Sequence, residues 1–212
     1  DSMPLAKEIA AVLVEDKKVG ICSAFPVLGT VPAELTQVEN LYGVESDGTK
    51  AEKQNLLPLG FSITYRKNRP FPHTLHLVPK TVVLGIGCKR GTEAESIRAL
   101  IRETLEQNQI FKESICLIAS IDLKKDEEGI RICAEELGVP FVTWSAEELE
   151  QVRSEDGFTE SAFVRSVAGV GNVCERSALK GAGTSRLLIR KTAHNGVTVA
   201  AAVKDYTVCM ED

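Results

Sequence analysis

Residues 81–92 read Thr-Val-Val-Leu-Gly-Ile-Gly-Cys-Lys-Arg-Gly-Thr, an unbroken apolar run that opens into a glycine-rich, basic turn. Such a run marks a strand buried on both faces, as in a parallel sheet. Downstream, Ile97, Ile101 and Leu105 recur at helical spacing, with Thr92 and Glu95 placed as a capping box ahead of them. Residues 115–119 form a second apolar strand. Asp126 is placed to cap a helix carrying Ile130, Cys133, Ala134 and Leu137, which Gly138 ends. Residues 141–144 form a third strand, and Ser145 with Glu148 repeats the capping box. Strand and helix alternating at this rhythm require parallel pairing through right-handed crossovers. After a polar link at 153–157 come a short helix near 161–167, a glycine turn, and a second short helix from Val173. Residues 186–191 and 197–203 flank Asn195-Gly196, a type I′ hairpin signal. The prediction is α/β: a three-layer α/β/α unit whose mixed, mainly parallel sheet closes on an antiparallel hairpin.

Upstream of Pro79 the text changes. Leu5, Ile9, Val12 and Leu13 predict a helix with Pro4 in its first turn. Residues 19–22, 61–65 and 74–78 read as strands, while 26–55 is turn-rich and weakly periodic. The expected division is a smaller α/β region over 1–79 and a larger domain over 80–212.

The chain has 212 residues and a net charge of −5, with 43% hydrophobic, 26% charged and 5% aromatic residues. A chain of this length can bury a sizeable core without staples. The acidic balance argues against a general nucleic-acid binder, and scarce aromatics argue against a base-stacking platform. Cysteines at 22, 88, 116, 133, 174 and 209 form no C-x-x-C pair. They read as small hydrophobes in a reducing compartment. No apolar stretch approaches the ~20 residues of a membrane span, and the expected location is the cytoplasm.

In an open α/β sheet, ligands bind beyond the carboxyl ends of the strands. The loop Gly85 to Thr92 is the first such site. Its glycines admit a close ligand, the next helix offers free N–H groups, and Lys89 and Arg90 add charge, so a phosphate or a carboxylate suits it. No lysine follows its last glycine, so it is not a Walker loop. The spacing also departs from a dinucleotide fingerprint, and a plain tight turn is the alternative. After the second strand come Ser120, Asp122 and Lys124. Asp122 is a candidate general base beside Lys124, or part of a solvated capping loop. The turn at 169–176 offers Asn172, Glu175 and Arg176, with Glu175 either a capping acid or a catalytic carboxylate. Cys88 and Cys174 stand near helix starts, where a thiolate is favoured. His73, His76 and His194 have neither metal-ligand spacing nor proximity to a cysteine.

The stretch 83–92 resembles the opening of the C-terminal domain of the cobalamin biosynthesis CbiG family. Ala-Ser-Ile-Asp-Leu-Lys-Lys-Asp-Glu at 119–127, Glu-Leu-Gly-Val-Pro-Phe-Val-Thr at 136–143 and Val-Gly-Asn-Val-Cys-Glu-Arg at 170–176 follow in order. Leu-Leu-Ile-Arg-Lys and Gly-Val-Thr-Val-Ala close the series. Residues 5–78 look like the family's middle region, clearest at Lys-Lys-Val-Gly-Ile, 17–21. Full members carry a further N-terminal domain ahead of that region. The resemblance implies hydrolysis of cobalt-precorrin-5A in the anaerobic route to vitamin B12, opening the ring-A lactone and releasing acetaldehyde. A shorter relative, CobE, corresponds to the C-terminal domain alone and implies the alternative of a non-catalytic corrinoid-binding module.

For such a substrate, Lys89, Arg90, Lys124 and Arg176 would hold peripheral carboxylates, with Gly87, Cys88, Gly91, Thr92, Ser120 and Asn172 completing the site. Amides of Gly87–Gly91 would stabilise the oxyanion, with Asp122 or Glu175 as base. Cobalt belongs to the substrate, so no resident cofactor or metal is expected. Neither nucleic acid nor membrane is an expected partner. A second copy of the chain, pairing along the hairpin edge, and other enzymes of the pathway are candidate partners.

Overall fold

The computed structural model describes residues 2–38 and 57–210. They divide into two compact units: Lys80–Asp205 is one, and the chain up to Pro79 together with the segment from Tyr206 onward is the other. The segment after Asp205, expected with the larger domain, thus belongs to the smaller unit. Part of the turn-rich 26–55 text lies outside the described residues.

In the smaller unit, helix α1 (Met3–Val14) begins at a first-turn proline and packs Ile9 on the sheet. The sheet comprises β1 (Val19–Ser23), β3 (Leu35–Gln37), β4 (Leu59–Ile63) and β5 (His73–Leu77), in the order β3-β1-β4-β5 and parallel throughout; β2 (Val27–Leu28) lies apart from it. Segment Val208–Cys209 pairs with β2. Gly20 and Gly60 sit side by side on β1 and β4. The ring of Phe71 fills the space over both, where a Cβ on either would collide with it. An aromatic side chain thereby replaces two missing ones in the core.

The larger unit has β6 (Val82–Cys88), α2 (Ala94–Gln107), β7 (Ile115–Ile121), α3 (Glu128–Leu137), β8 (Phe141–Trp144), α4 (Ala146–Glu150), α5 (Ala162–Ala168), α6 (Cys174–Ala182), β9 (Leu187–His194) and β10 (Val197–Val203). Its strand order is β8-β7-β6-β10-β9. Strands β6, β7 and β8 are parallel, and β10 runs antiparallel to both β6 and β9. The β9–β10 turn has φ of 48° at Asn195 and 81° at Gly196, the two positive values a type I′ turn demands.

Alternate residues of the sheet face opposite layers. Val83, Leu117, Ala119, Ala200 and Ala202 meet Ala178, Leu179 and Ala182 of α6. Helices α2 and α3 pack on each other and on strands of the same sheet. The small residues are there for α6. A Cβ on Gly85 would collide with the carbonyl of Cys174, so this glycine admits a helix and not a ligand.

Two helix starts differ from expectation. Helix α2 begins at Ala94 without a side-chain cap, because the Thr92 hydroxyl instead donates to the Lys89 carbonyl and closes the preceding turn. Helix α3 starts after Glu127, not Asp126, and Glu127 turns its carboxylate away from its own helix. The Ser145–Glu148 capping box forms as read, and Gly138 ends α3 with φ of 63°.

Candidate functional site

Within the larger unit, the loops beyond β6 and β7, helix α5, the turn before α6 and the β9–β10 hairpin enclose a cavity of about 650 Å3. Its wall is mostly apolar, from Ile121, Leu123, Phe163, Val164, Val167 and Val173. Four cations also line it: Lys89, Arg90, Lys124 and Lys191. Lys124 is bound to Glu127 at 2.9 Å. Among the described residues, no carboxylate pairs with the other three. Among the described residues, no Asp, Glu or His contributes to the wall. The backbone N–H of Lys89 donates to Gly196 at 3.2 Å, which ties the glycine loop to the hairpin turn.

The structure brings together Gly87, Cys88, Lys89, Arg90, Lys124 and Asn172 from three separate loops, as expected of strand ends. The other expected residues have different tasks. Ser120 is buried and donates to the Ile86 carbonyl at 2.7 Å, bracing β7 against β6. Gly91, with φ of 71°, gives its N–H to Glu127 at 2.6 Å. The loop amide intended for an oxyanion therefore already holds the chain's own carboxylate. Burial would raise the Glu127 carboxyl, but the Lys124 ammonium and the amides of Gly91 and Thr92 outweigh it and hold it below the usual range.

Glu175 is not a free base. It is fully buried and accepts from Thr159 N at 2.9 Å, Thr159 Oγ1 at 3.2 Å, Asn172 Nδ2 at 2.7 Å and Lys191 N at 2.8 Å. Its own N–H donates to Asn172 Oδ1 at 2.9 Å. With its lone pairs occupied, it ties two cavity residues, Asn172 and Lys191, to α6. Arg176 is not a substrate cation either. Nη1 donates to the carbonyls of Leu149, Glu150 and Val152, Nη2 binds Glu160 at 2.9 Å, and the guanidinium lies 4.0 Å over the Phe158 ring. Asp122 is exposed, accepts from Thr143 Oγ1 at 2.7 Å, and is absent from the cavity wall although its neighbours Leu123 and Lys124 line it.

Neither cysteine at the cavity has the depressed pKa expected near a helix start. Burial raises Cys88 and pushes Cys174 to about 11, so both are thiols. All six cysteines are free. No group of three or more His, Cys, Asp or Glu among the described residues is placed to hold a metal ion.

Sequence reading missed Lys191, Phe163 and Val167. The available signals were the i,i+4 apolar pair on a helix with a second apolar face, and the i,i+2 pairing that places Lys191 beside Ala193 on one face of β9.

Residues 82–202 match the family described as "Cobalamin synthesis G C-terminus". The chain belongs to that family. Cobalt-precorrin-5A hydrolase of Priestia megaterium is 34% identical over 128 residues, covering 60% of this chain and 33% of that protein. The Salmonella typhimurium hydrolase is 38% identical over 134 residues, covering 63% and 37%. The chain thus spans roughly a third of the length of these curated relatives. Among solved structures, CobE, a protein from the cobalamin (vitamin B12) biosynthetic pathway, superposes with a TM-score of 0.54 at 31% identity, covering 60% of this chain and 93% of CobE. Among the described residues no helix is long and apolar enough to cross a membrane.

Proposed function

We propose that this chain serves in the anaerobic synthesis of vitamin B12, where it binds cobalt-precorrin-5A for hydrolysis to cobalt-precorrin-5B. The observation that carries the reading is the pairing of an apolar cavity with three cations that, among the described residues, meet no carboxylate of their own. Uncompensated positive charge around apolar surface suits a ligand with an apolar body and a ring of acids. A cobalt-corrinoid is such a body. The hydrolase name of the two curated relatives supplies the reaction.

Lys89, Arg90 and Lys191 would hold the peripheral carboxylates, and the apolar wall would receive the macrocycle. Lactone opening needs a water activated by a base. Asp122 is the candidate, because the next two residues line the cavity and its carboxylate keeps one oxygen outside the Thr143 bond. Loss of acetaldehyde would follow as the freed alkoxide collapses and the electron-poor ring accepts electrons. Cobalt enters with the substrate, and the six free thiols suit a cytoplasmic setting.

A second reading is a corrinoid-binding module without chemistry. The observation that favours it is that, among the described residues, no Asp, Glu or His lines the wall. Anaerobic incubation of the chain with cobalt-precorrin-5A separates the two. Acetaldehyde release that Asp122→Asn abolishes supports catalysis here. A shift in the corrinoid spectrum without acetaldehyde assigns this chain to binding alone. No spectral shift and no product would sink both.

A further inference from the structure

Helix α5 has two apolar faces. Val164 and Ala168 pack into a cluster with Ile121, Leu149, Val170 and Val173. Phe163 and Val167, one turn apart, remain 75% and 64% exposed, and both line the cavity. Leu123, from the turn after β7, is 61% exposed and lines it too. Three large apolar side chains from two separate segments thus stand in water at one cavity mouth. Each forgoes burial, which is the pattern of surface kept for a ligand.

We infer that Leu123, Phe163 and Val167 form an apolar lip that covers the face of the macrocycle and makes the site selective for ring-borne polyacids. The inference rests on the corrinoid reading above and deepens it. The cations say what the occupant carries, and the lip says what shape carries it. A small aliphatic polyacid would satisfy Lys89, Arg90 and Lys191 yet leave the lip wet. A flat, apolar macrocycle with peripheral acids contacts both. A tetrapyrrole with its side chains also exceeds the drug-sized ligands that cavities of this volume enclose. Part of it must extend over the mouth, where Phe163 offers a ring for stacking and Val167 and Leu123 offer aliphatic contact.

The test measures binding of cobyrinic acid, an air-stable cobalt-corrinoid polyacid, and of citrate as an aliphatic polyacid. The proteins are the native chain, Phe163→Ala/Val167→Ala, Phe163→Leu, and Leu123→Ser, each checked by thermal melting. The double variant is expected to weaken cobyrinic acid binding about tenfold or more with an unchanged melting temperature. Leu123→Ser is expected to weaken it less, and Phe163→Leu to retain most of the affinity. Citrate binding should be the same in all. Native-like corrinoid affinity in both the double variant and Leu123→Ser overturns the lip while leaving the corrinoid reading intact. Equal losses for citrate and corrinoid overturn it as well, since the residues would then act on the cations. Failure of the native chain to bind cobyrinic acid overturns lip and corrinoid reading together. Should the double variant melt early, Leu123→Ser, on a different segment, decides alone.

Discussion

The carboxylate of Glu175 accepts the backbone N–H of Lys191 at 2.8 Å, so a fully buried acid on α6 fixes the height at which β9 presents a cavity lysine. The same carboxylate holds Asn172, another residue of the cavity wall, at 2.7 Å. A group read from sequence as a base is in fact a brace.

Glu175→Ala should therefore unfold the larger unit more readily. It leaves buried donors on Thr159, Asn172 and Lys191 without an acceptor, a loss of about 3 kcal/mol or more. Urea unfolding should give a lower midpoint at an unchanged slope. Glu175→Gln keeps the shape but presents an N–H where only acceptors fit, so it should also destabilise. Wild-type stability in both variants would contradict the brace.

Glu127 predicts a pH dependence. Its carboxyl lies below the usual range when folded, so its contribution is present above the ordinary glutamate value of roughly 4.3 and is lost as pH falls from there. Between neutral pH and that value the native protein should hold its margin over Glu127→Gln. Below it the two stability curves should converge. Denaturant midpoints across an acid titration read this directly, and a constant gap down to low pH would refute it.

Gly85→Ala should force α6 away from β6, because its Cβ would collide with the Cys174 carbonyl in the helix's first turn. Overpacking of this kind costs about 1–3 kcal/mol. The shift also moves Asn172 and Val173 in the cavity wall. Thermal melting should fall and corrinoid affinity should fall with it, whereas Gly138→Ala, distant from the cavity and with open space around it, should affect stability only.

Lys89→Ala, Arg90→Ala and Lys191→Ala should each weaken corrinoid binding by about tenfold, the scale of one charge-assisted contact. Among the described residues none pairs with a carboxylate, so melting temperatures should hold. The losses should shrink at high salt, where exposed charges are screened. Arg176→Ala is the contrast: its guanidinium supports three carbonyls and Glu160, so stability should drop before any binding effect is measured.

Much of this molecule was legible in order along the chain. The alternation of apolar strands with helical periodicity predicted the parallel core, and Asn195-Gly196 predicted the hairpin, because both signals are local and depend on backbone geometry alone. Residues 87–90, Lys124 and Asn172 line one cavity, as the convergence of strand ends in a parallel sheet leads one to expect. The choice among polar groups was not legible. Glu175, Arg176 and Ser120 have the same chemistry whether they face a cavity or a core, and only packing decides which. Glu127 filled the amide of Gly91 from 36 residues away, a pairing no local pattern announces. Lys191 and Phe163 entered the site because β9 and α5 happen to border the same space. Periodicity determined the elements; which side chains met, and which carboxylates were consumed in holding them, was settled only when those elements packed.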